Sequence, residues 1–218
     1  MAEDIYGPSI QHLKGKTVRL KIQHMEPVKI TSFPKTILDN YKEVTIWCEL
    51  TQINRTGFLN TISWHIIFTT GSMIKNRKVE NIADVITQVH KLYLQRSFNI
   101  THMHTDCEFE PLCKEIIALG INLNCASKKE HVRAIQRFIR TVKEHVRYIW
   151  DTMSFKRISK LMIVHLVASA IFLLNVFPQS THGAGLSDTK GPRQLILGNT
   201  VNYKKFFRLQ PGEYVQVY

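Results

Sequence analysis

Acidic residues are scarce in this 218-residue chain. It contains 17 Asp and Glu against 29 Lys and Arg, which gives a formal net charge of +12 at pH 7. A positive excess of this size indicates a polyanionic partner, either nucleic acid or an acidic membrane surface. The excess is concentrated, because residues 128–160 carry ten Lys or Arg and only three acids.

Cysteine is also scarce, and its spacing excludes two common architectures. The four cysteines are Cys48, Cys107, Cys113 and Cys125. No two of them form a closely spaced pair, so neither a zinc knuckle nor a disulfide framework is indicated. We therefore expect a reducing, intracellular environment.

Long apolar runs and a secretory signal are missing as well. The amino terminus, "MAEDIYGPSIQ", has early acids and no apolar core, so we expect a protein that is not secreted. The segment "KLMIVHLVASAIFLLNVFP" (160–178) is the one membrane candidate. Its apolar run of about 14 residues is shorter than the roughly 20 that a bilayer requires. We therefore expect a buried core helix and no membrane contact. A membrane-anchored basic protein is the weakest of three hypotheses for this chain, and the other two involve nucleic acid.

The hydrophobic pattern predicts an α/β fold. Residues 1–43 have weak periodicity and are expected to form an irregular lead-in, and the tail after 178 is expected to mix loop and strand. Between them, alternating β-branched runs predict strands and helical spacing predicts helices. The predicted strands are 43–53, 57–67, 68–74, 99–106 and 121–126, and the predicted helices are 79–96, 111–119, 129–150 and 157–176. This order predicts a mixed five-stranded sheet flanked by helices, the order of the ribonuclease H-like fold.

The helix predicted over 129–150 has one apolar face and one basic face. The basic face carries Arg133, Arg137, Arg140, Lys143 and Arg147, with the neutral Gln136 among them. Such a face suits a phosphate backbone. The alternative is a solvated face that only keeps the helix soluble.

Two acids occupy positions on predicted strands. Glu49 lies inside the β-prone run "TIWCELTQI", and Asp106 closes the strand in "HMHTDCEFEPL". A lone acid on a strand usually faces solvent, but in a central strand it needs a partner or a metal ion. Two-metal phosphodiester chemistry needs three carboxylates from different elements. Glu49, Asp106 and the first turns of the basic helix are the candidates for that convergence.

The sequence resembles the integrase region of copia-type long-terminal-repeat retrotransposons. The matching stretches are "AEDIYGPSIQHLKGKTVR", "VTIWCELTQINRTGFLNTIS", "DCEFEPL", "QRFIRTVKE" and "LSDTKGPRQLILG". The resemblance implies a ribonuclease H-like polynucleotidyl transferase that joins element DNA ends to target DNA with Mg²⁺ or Mn²⁺. It also implies DNA as a partner, with RNA as a further candidate, together with a homo-oligomer and a nuclear location.

The family's catalytic set is Asp, Asp and Glu, and this chain departs from it at two positions. By resemblance, Glu49 stands at the first Asp, Asp106 at the second, and Gln136 at the Glu. Glu49 and Asp106 are thus the expected metal ligands, while Gln136 lacks the charge that a second metal ion requires. We expect impaired catalysis, and the alternative is a catalytically dead nucleic-acid-binding protein.

The resemblance also predicts the domain limits. The integrase core is expected over 44–178, preceded by the lead-in of 1–43 and followed by a tail of 179–218. The family has a zinc module before its core, but residues 1–43 contain only His12 and His24 and no cysteine. We expect a degenerate fragment of a longer polyprotein.

Overall fold

The structure is a computed structural model that describes residues 35–126, 133–153, 157–178, 190–198 and 201–202. The helices and strands, numbered in chain order, are α1 Lys35–Tyr41, β1 Glu43–Ile53, β2 Thr56–Ser63, β3 Thr69–Ile74, α2 Val79–Leu94, β4 Asn99–Thr105, a 3₁₀ helix Cys107–Leu112, α3 Cys113–Ala118, β5 Asn122–Cys125, α4 Arg133–Thr152, α5 Lys160–Val176 and α6 Pro192–Leu197.

The five strands form one mixed sheet in the order β3-β2-β1-β4-β5. β1, β2 and β3 pair antiparallel, whereas β4 pairs parallel with β1 and β5 parallel with β4. The β1–β2 hairpin turns at Asn54 and Arg55, which both have positive φ (46° and 60°), the geometry of a two-residue turn that matches strand twist. The predicted mixed five-stranded sheet is confirmed, and β1 lies at its centre.

Helices cover both faces of the sheet because both faces are apolar. On one face, residues such as Ile46, Cys48 and Leu59 pack against α2, the 3₁₀ helix, α3 and α6. On the other face, Phe58 and Ile62 pack against α4 and α5. Neighbouring strand residues alternate between the two cores, as the period of a strand requires.

Helix α5 corresponds to the apolar segment of 160–178. Its side chains Leu166, Val167 and Ala170 are fully buried in the second core. Asn175 near its end is buried too and hydrogen-bonds Thr69 of β3. Among the described helices, none combines the length and the apolar character that a membrane crossing requires.

The structure differs from the sequence-based expectations at three places. Residues 35–41, expected in the irregular lead-in, form α1, while 1–34 lie outside the described residues. The strand expected over 57–67 ends at Ser63, because His65 and Ile67 have positive φ (63° and 56°). Part of the tail expected as loop and strand is instead α6, which begins at a proline and ends before Gly198 in the left-handed region.

Candidate catalytic and nucleic-acid site

Glu49 lies on β1, and Asp106 directly follows β4, the parallel neighbour of β1 in the sheet. The parallel register of β1 and β4 ends with Trp47 opposite His104. Glu49 and Asp106 each lie two residues beyond that pair, and Asp106 keeps an extended backbone (φ −84°, ψ 176°). Since adjacent strands are separated by about 4.8 Å, continuing that register by two residues would bring the two acids side by side.

Both acids are on the face of the sheet that α4 covers. The Trp47 and His104 rings lie 6.3 Å apart, so these residues share a face, and residues two positions further along an extended strand lie on that face too. On the other side of β1, Trp47 pairs with Ile62 and Glu49 with Asn60. Ile62 belongs to the core beneath α4 and α5, which identifies the face.

Asp106 is an exposed residue whose carboxylate is partly desolvated, and it caps the start of the 3₁₀ helix. Its Oδ1 accepts a hydrogen bond from the Glu108 backbone N–H at 3.1 Å. Partial burial raises the pKa of Asp106, and the Glu108 carboxylate adds to the rise against the opposing effects of that hydrogen bond and of Arg77. Arg77 pairs with Glu108 at 3.1 Å. A cation beside Asp106 would oppose this rise in pKa by favouring the ionised carboxylate.

Gln136 lies in the first turn of α4 and is half-buried. At 100° per residue, Gln136, Arg140, Lys143 and Arg147 fall within about 60° of the helix circumference, along one edge of its buried stripe. We call Arg140, Lys143 and Arg147 the basic flank. Arg140 and Arg147 are exposed and Lys143 is half-buried. Arg140 also pairs with Glu144 at 2.9 Å.

Arg137 and Arg133 are the other two cations of the predicted basic face. Arg137 is exposed, but it lies about 100° around the helix from Gln136 and so is not part of the basic flank. The Arg133 side chain lies outside the described part of the structure, although its backbone begins α4. The sequence grouped all five cations on one face; the helix period sets Arg137 apart from the basic flank, and the nucleic-acid-binding roles of all five stay predictions.

Glu49 and Asp106 are the two carboxylates expected to hold a divalent ion. Among the described residues, no group of three or more His, Cys, Asp or Glu is placed to hold a metal ion. Two adjacent carboxylates are enough for one Mg²⁺ ion, which completes its shell with water and substrate phosphate. Gln136 offers a neutral amide oxygen at the third position. The ligand roles of Glu49 and Asp106 therefore stay predictions.

The sequence did not single out Asn60, which pairs with Glu49 across β1 and β2. Asn60 is 2% exposed, and its Nδ2 donates to Thr51 Oγ1 at 2.8 Å. An amide within the β-prone run "GFLNTIS" was the available signal.

His104 precedes Asp106 by two residues. Burial is the main cause that lowers the pKa of His104, and the nearby His102 lowers it further, so the ring favours the neutral form.

Comparison with known proteins identifies the fold. No protein-family model matches the sequence, and no curated protein matches it either. Among solved structures, the chain is similar to the catalytic core domain of BIV integrase, with a TM-score of 0.50 and 16% sequence identity over 70% of this chain and 93% of that one. At this identity the similarity shows the fold, which is the ribonuclease H-like fold of integrase catalytic cores.

Proposed function

We propose that this chain is an integrase-like core that binds DNA and whose metal-dependent polynucleotidyl transfer is impaired. One observation supports the proposal: the parallel register of β1 and β4 ends two residues before Glu49 and Asp106, on the sheet face that α4 covers. In the first turn of α4, the residue at the edge of the buried stripe is Gln136, and cations follow it. This arrangement combines a carboxylate pair with positive charge for a phosphate backbone.

In this proposal each group has a separate role. The basic flank binds DNA phosphates, and Glu49 and Asp106 hold one Mg²⁺ or Mn²⁺ ion. When bound, that ion polarises the phosphodiester as a Lewis acid. Gln136 supplies a neutral oxygen in place of a charge.

Catalysis is impaired in two ways. Glu at position 49 extends the carboxylate by one carbon–carbon bond, about 1.5 Å relative to Asp. Working sites hold their groups within about 0.5 Å, so the longer side chain displaces the ligand. The amide of Gln136 removes the third negative charge.

Several finer assignments belong to the same proposal. The core spans 44–178. It is related to the integrases of copia-type elements, because the sequence contains the stretches that match them. We further propose a homo-oligomer that acts in the nucleus on element and target DNA, with RNA as a second nucleic-acid partner.

A second candidate function is nucleic-acid binding without catalysis. The described residues hold no group of three metal-ligating side chains, and this observation favours it. The basic flank is the same in both hypotheses, so DNA binding does not separate them.

A strand-transfer assay separates the two. Metal-dependent nicking and joining of DNA ends is measured for the unaltered protein and for a Glu49→Asp, Gln136→Glu double variant. We expect activity to appear in the double variant. If both proteins bind DNA and neither nicks it, the chain is a binding protein only.

A further inference from the structure

The residues after β2 form a strained turn that exposes a tryptophan. His65 and Ile67 both have positive φ (63° and 56°), which is unfavourable for a β-branched side chain such as isoleucine. Ser63 holds the turn closed, because its N–H donates to the Phe68 carbonyl at 3.0 Å and its Oγ accepts from the Phe68 N–H at 3.0 Å. At the start of this turn, 49% of Trp64 is exposed.

Neighbouring rings fix the orientation of the Trp64 indole. Trp47 meets it edge-to-face with centroids 4.8 Å apart, and His65 does so at 5.4 Å. The Trp64 backbone N–H also donates to the Thr45 carbonyl at 2.8 Å. A ring that is already ordered loses little entropy when a ligand stacks on it.

Two of these rings, Trp47 and His104, lie close to the two acids, and Trp64 lies beyond Trp47, with its backbone opposite Thr45. Trp47 precedes Glu49 by two residues on the same face of β1, a distance of about 7 Å along a strand. His104 precedes Asp106 in the same way, and its ring lies 6.3 Å from that of Trp47. We call Trp47, Trp64, His65 and His104 the aromatic platform.

We propose that the aromatic platform binds an unpaired nucleobase, which stacks on Trp64 while a phosphate about two nucleotides along the same strand lies at Glu49 and Asp106. This inference rests on the proposed function, since it assigns a base near the phosphate that the acids and their metal ion would hold. Three observations support it: half of Trp64 is open, its ring is held by neighbours, and the chain carries a net charge of +12 that favours a polyanion. Every base has a flat π face, so stacking selects unpaired bases without selecting sequence.

The test compares the affinity of the protein for one DNA duplex with and without a single-stranded tail. The unaltered protein and Trp64→Ala are titrated with a blunt duplex, the same duplex with a short single-stranded tail, and the duplex with an abasic tail that keeps the phosphates. We expect Trp64→Ala to weaken binding of the normal tail by about fivefold to a hundredfold, the range for stacking of one base. Binding of the blunt and abasic DNA should be unchanged, and Trp64→Phe should retain most of the affinity for the normal tail.

Phe177→Ala is the matched control, because Phe177 is equally exposed (49%) and lies at the end of α5. Circular dichroism melting checks that each variant is folded. Three results would each contradict base stacking on the aromatic platform. They are equal weakening of all three DNAs by Trp64→Ala, an unchanged affinity of that variant for the normal tail, and the same loss in Phe177→Ala. If the unaltered protein binds the blunt duplex but gains nothing from the tail, only the platform is wrong. If it binds no DNA at all, the proposed function is wrong and the platform with it.

Discussion

Replacing the basic flank by alanine should reduce the salt dependence of DNA binding. Each phosphate contact contributes a slope of about 0.9 in a plot of log affinity against log salt concentration. Arg147 is exposed, and the half-buried Lys143 lies on the same edge of the helix. Arg140 is paired with Glu144, but an exposed pair contributes only about 0–1 kcal/mol, so a phosphate can displace it. Three lost contacts correspond to a slope smaller by about 2.7.

The assay is fluorescence anisotropy of a labelled duplex at several salt concentrations. The matched control is the triple variant Lys78→Ala, Lys91→Ala, Lys114→Ala, which removes the same charge from exposed positions at or on α2 and α3. Those helices pack on the opposite face of the sheet. We expect the control to change the slope by less than one contact, about 0.9. An unchanged slope in the flank variant, or equal changes in both variants, would refute the reasoning.

Two further predictions concern stability. Asn175→Ala removes an amide whose Oδ1 accepts from the Thr69 N–H and hydroxyl (2.9 and 3.0 Å) and whose Nδ2 donates to the Thr69 carbonyl at 2.7 Å. Leaving these buried groups unpaired should lower the free energy of unfolding, measured in urea, by about 2–4 kcal/mol. The control His165→Ala, at an exposed position of the same helix, should lower it by less than about 0.5 kcal/mol. Equal losses in the two variants would contradict this prediction. Asp106→Asn should raise Tm at pH 7, because a pKa raised by folding means that the ionised carboxylate destabilises the fold above that pKa, and the difference should vanish below the ordinary value of 3.8. A lower Tm at pH 7 would show that the Asp106 charge is stabilising.

The sheet and its main helices were predictable because their hydrophobic periods are regular. The β-prone runs around Trp47 and Phe58 became β1 and β2, and helical spacing from Val79 gave α2. The end of β2 was not predictable, because "SWHII" has strand composition and the turn depends on backbone strain at His65 and Ile67. Helix α6 was missed because six residues are too few to show a helical period, and its buried Leu195 and Ile196 are fixed by tertiary packing.

The residues of the candidate site came from the resemblance, and their roles stay predictions. The parallel register of β1 and β4, continued by two residues, would set Glu49 and Asp106 side by side. Sequence reasoning could not find Asn60, because its role depends on which residue it pairs with across the hairpin. It also could not find the aromatic platform, whose rings come from β1, β4 and the turn after β2 and meet only in the folded chain.

Metal-dependent nicking of DNA ends decides whether this chain is an integrase-like core with a defective carboxylate set. The Glu49→Asp, Gln136→Glu variant is compared with the unaltered protein, and with the same variant carrying Asp106→Asn, in Mn²⁺ and in EDTA. We expect nicking by the double variant in Mn²⁺, which EDTA or Asp106→Asn abolishes, and little or none by the unaltered protein. Equal nicking by all three proteins, or a double variant that binds DNA and shows no metal-dependent nicking, would contradict it.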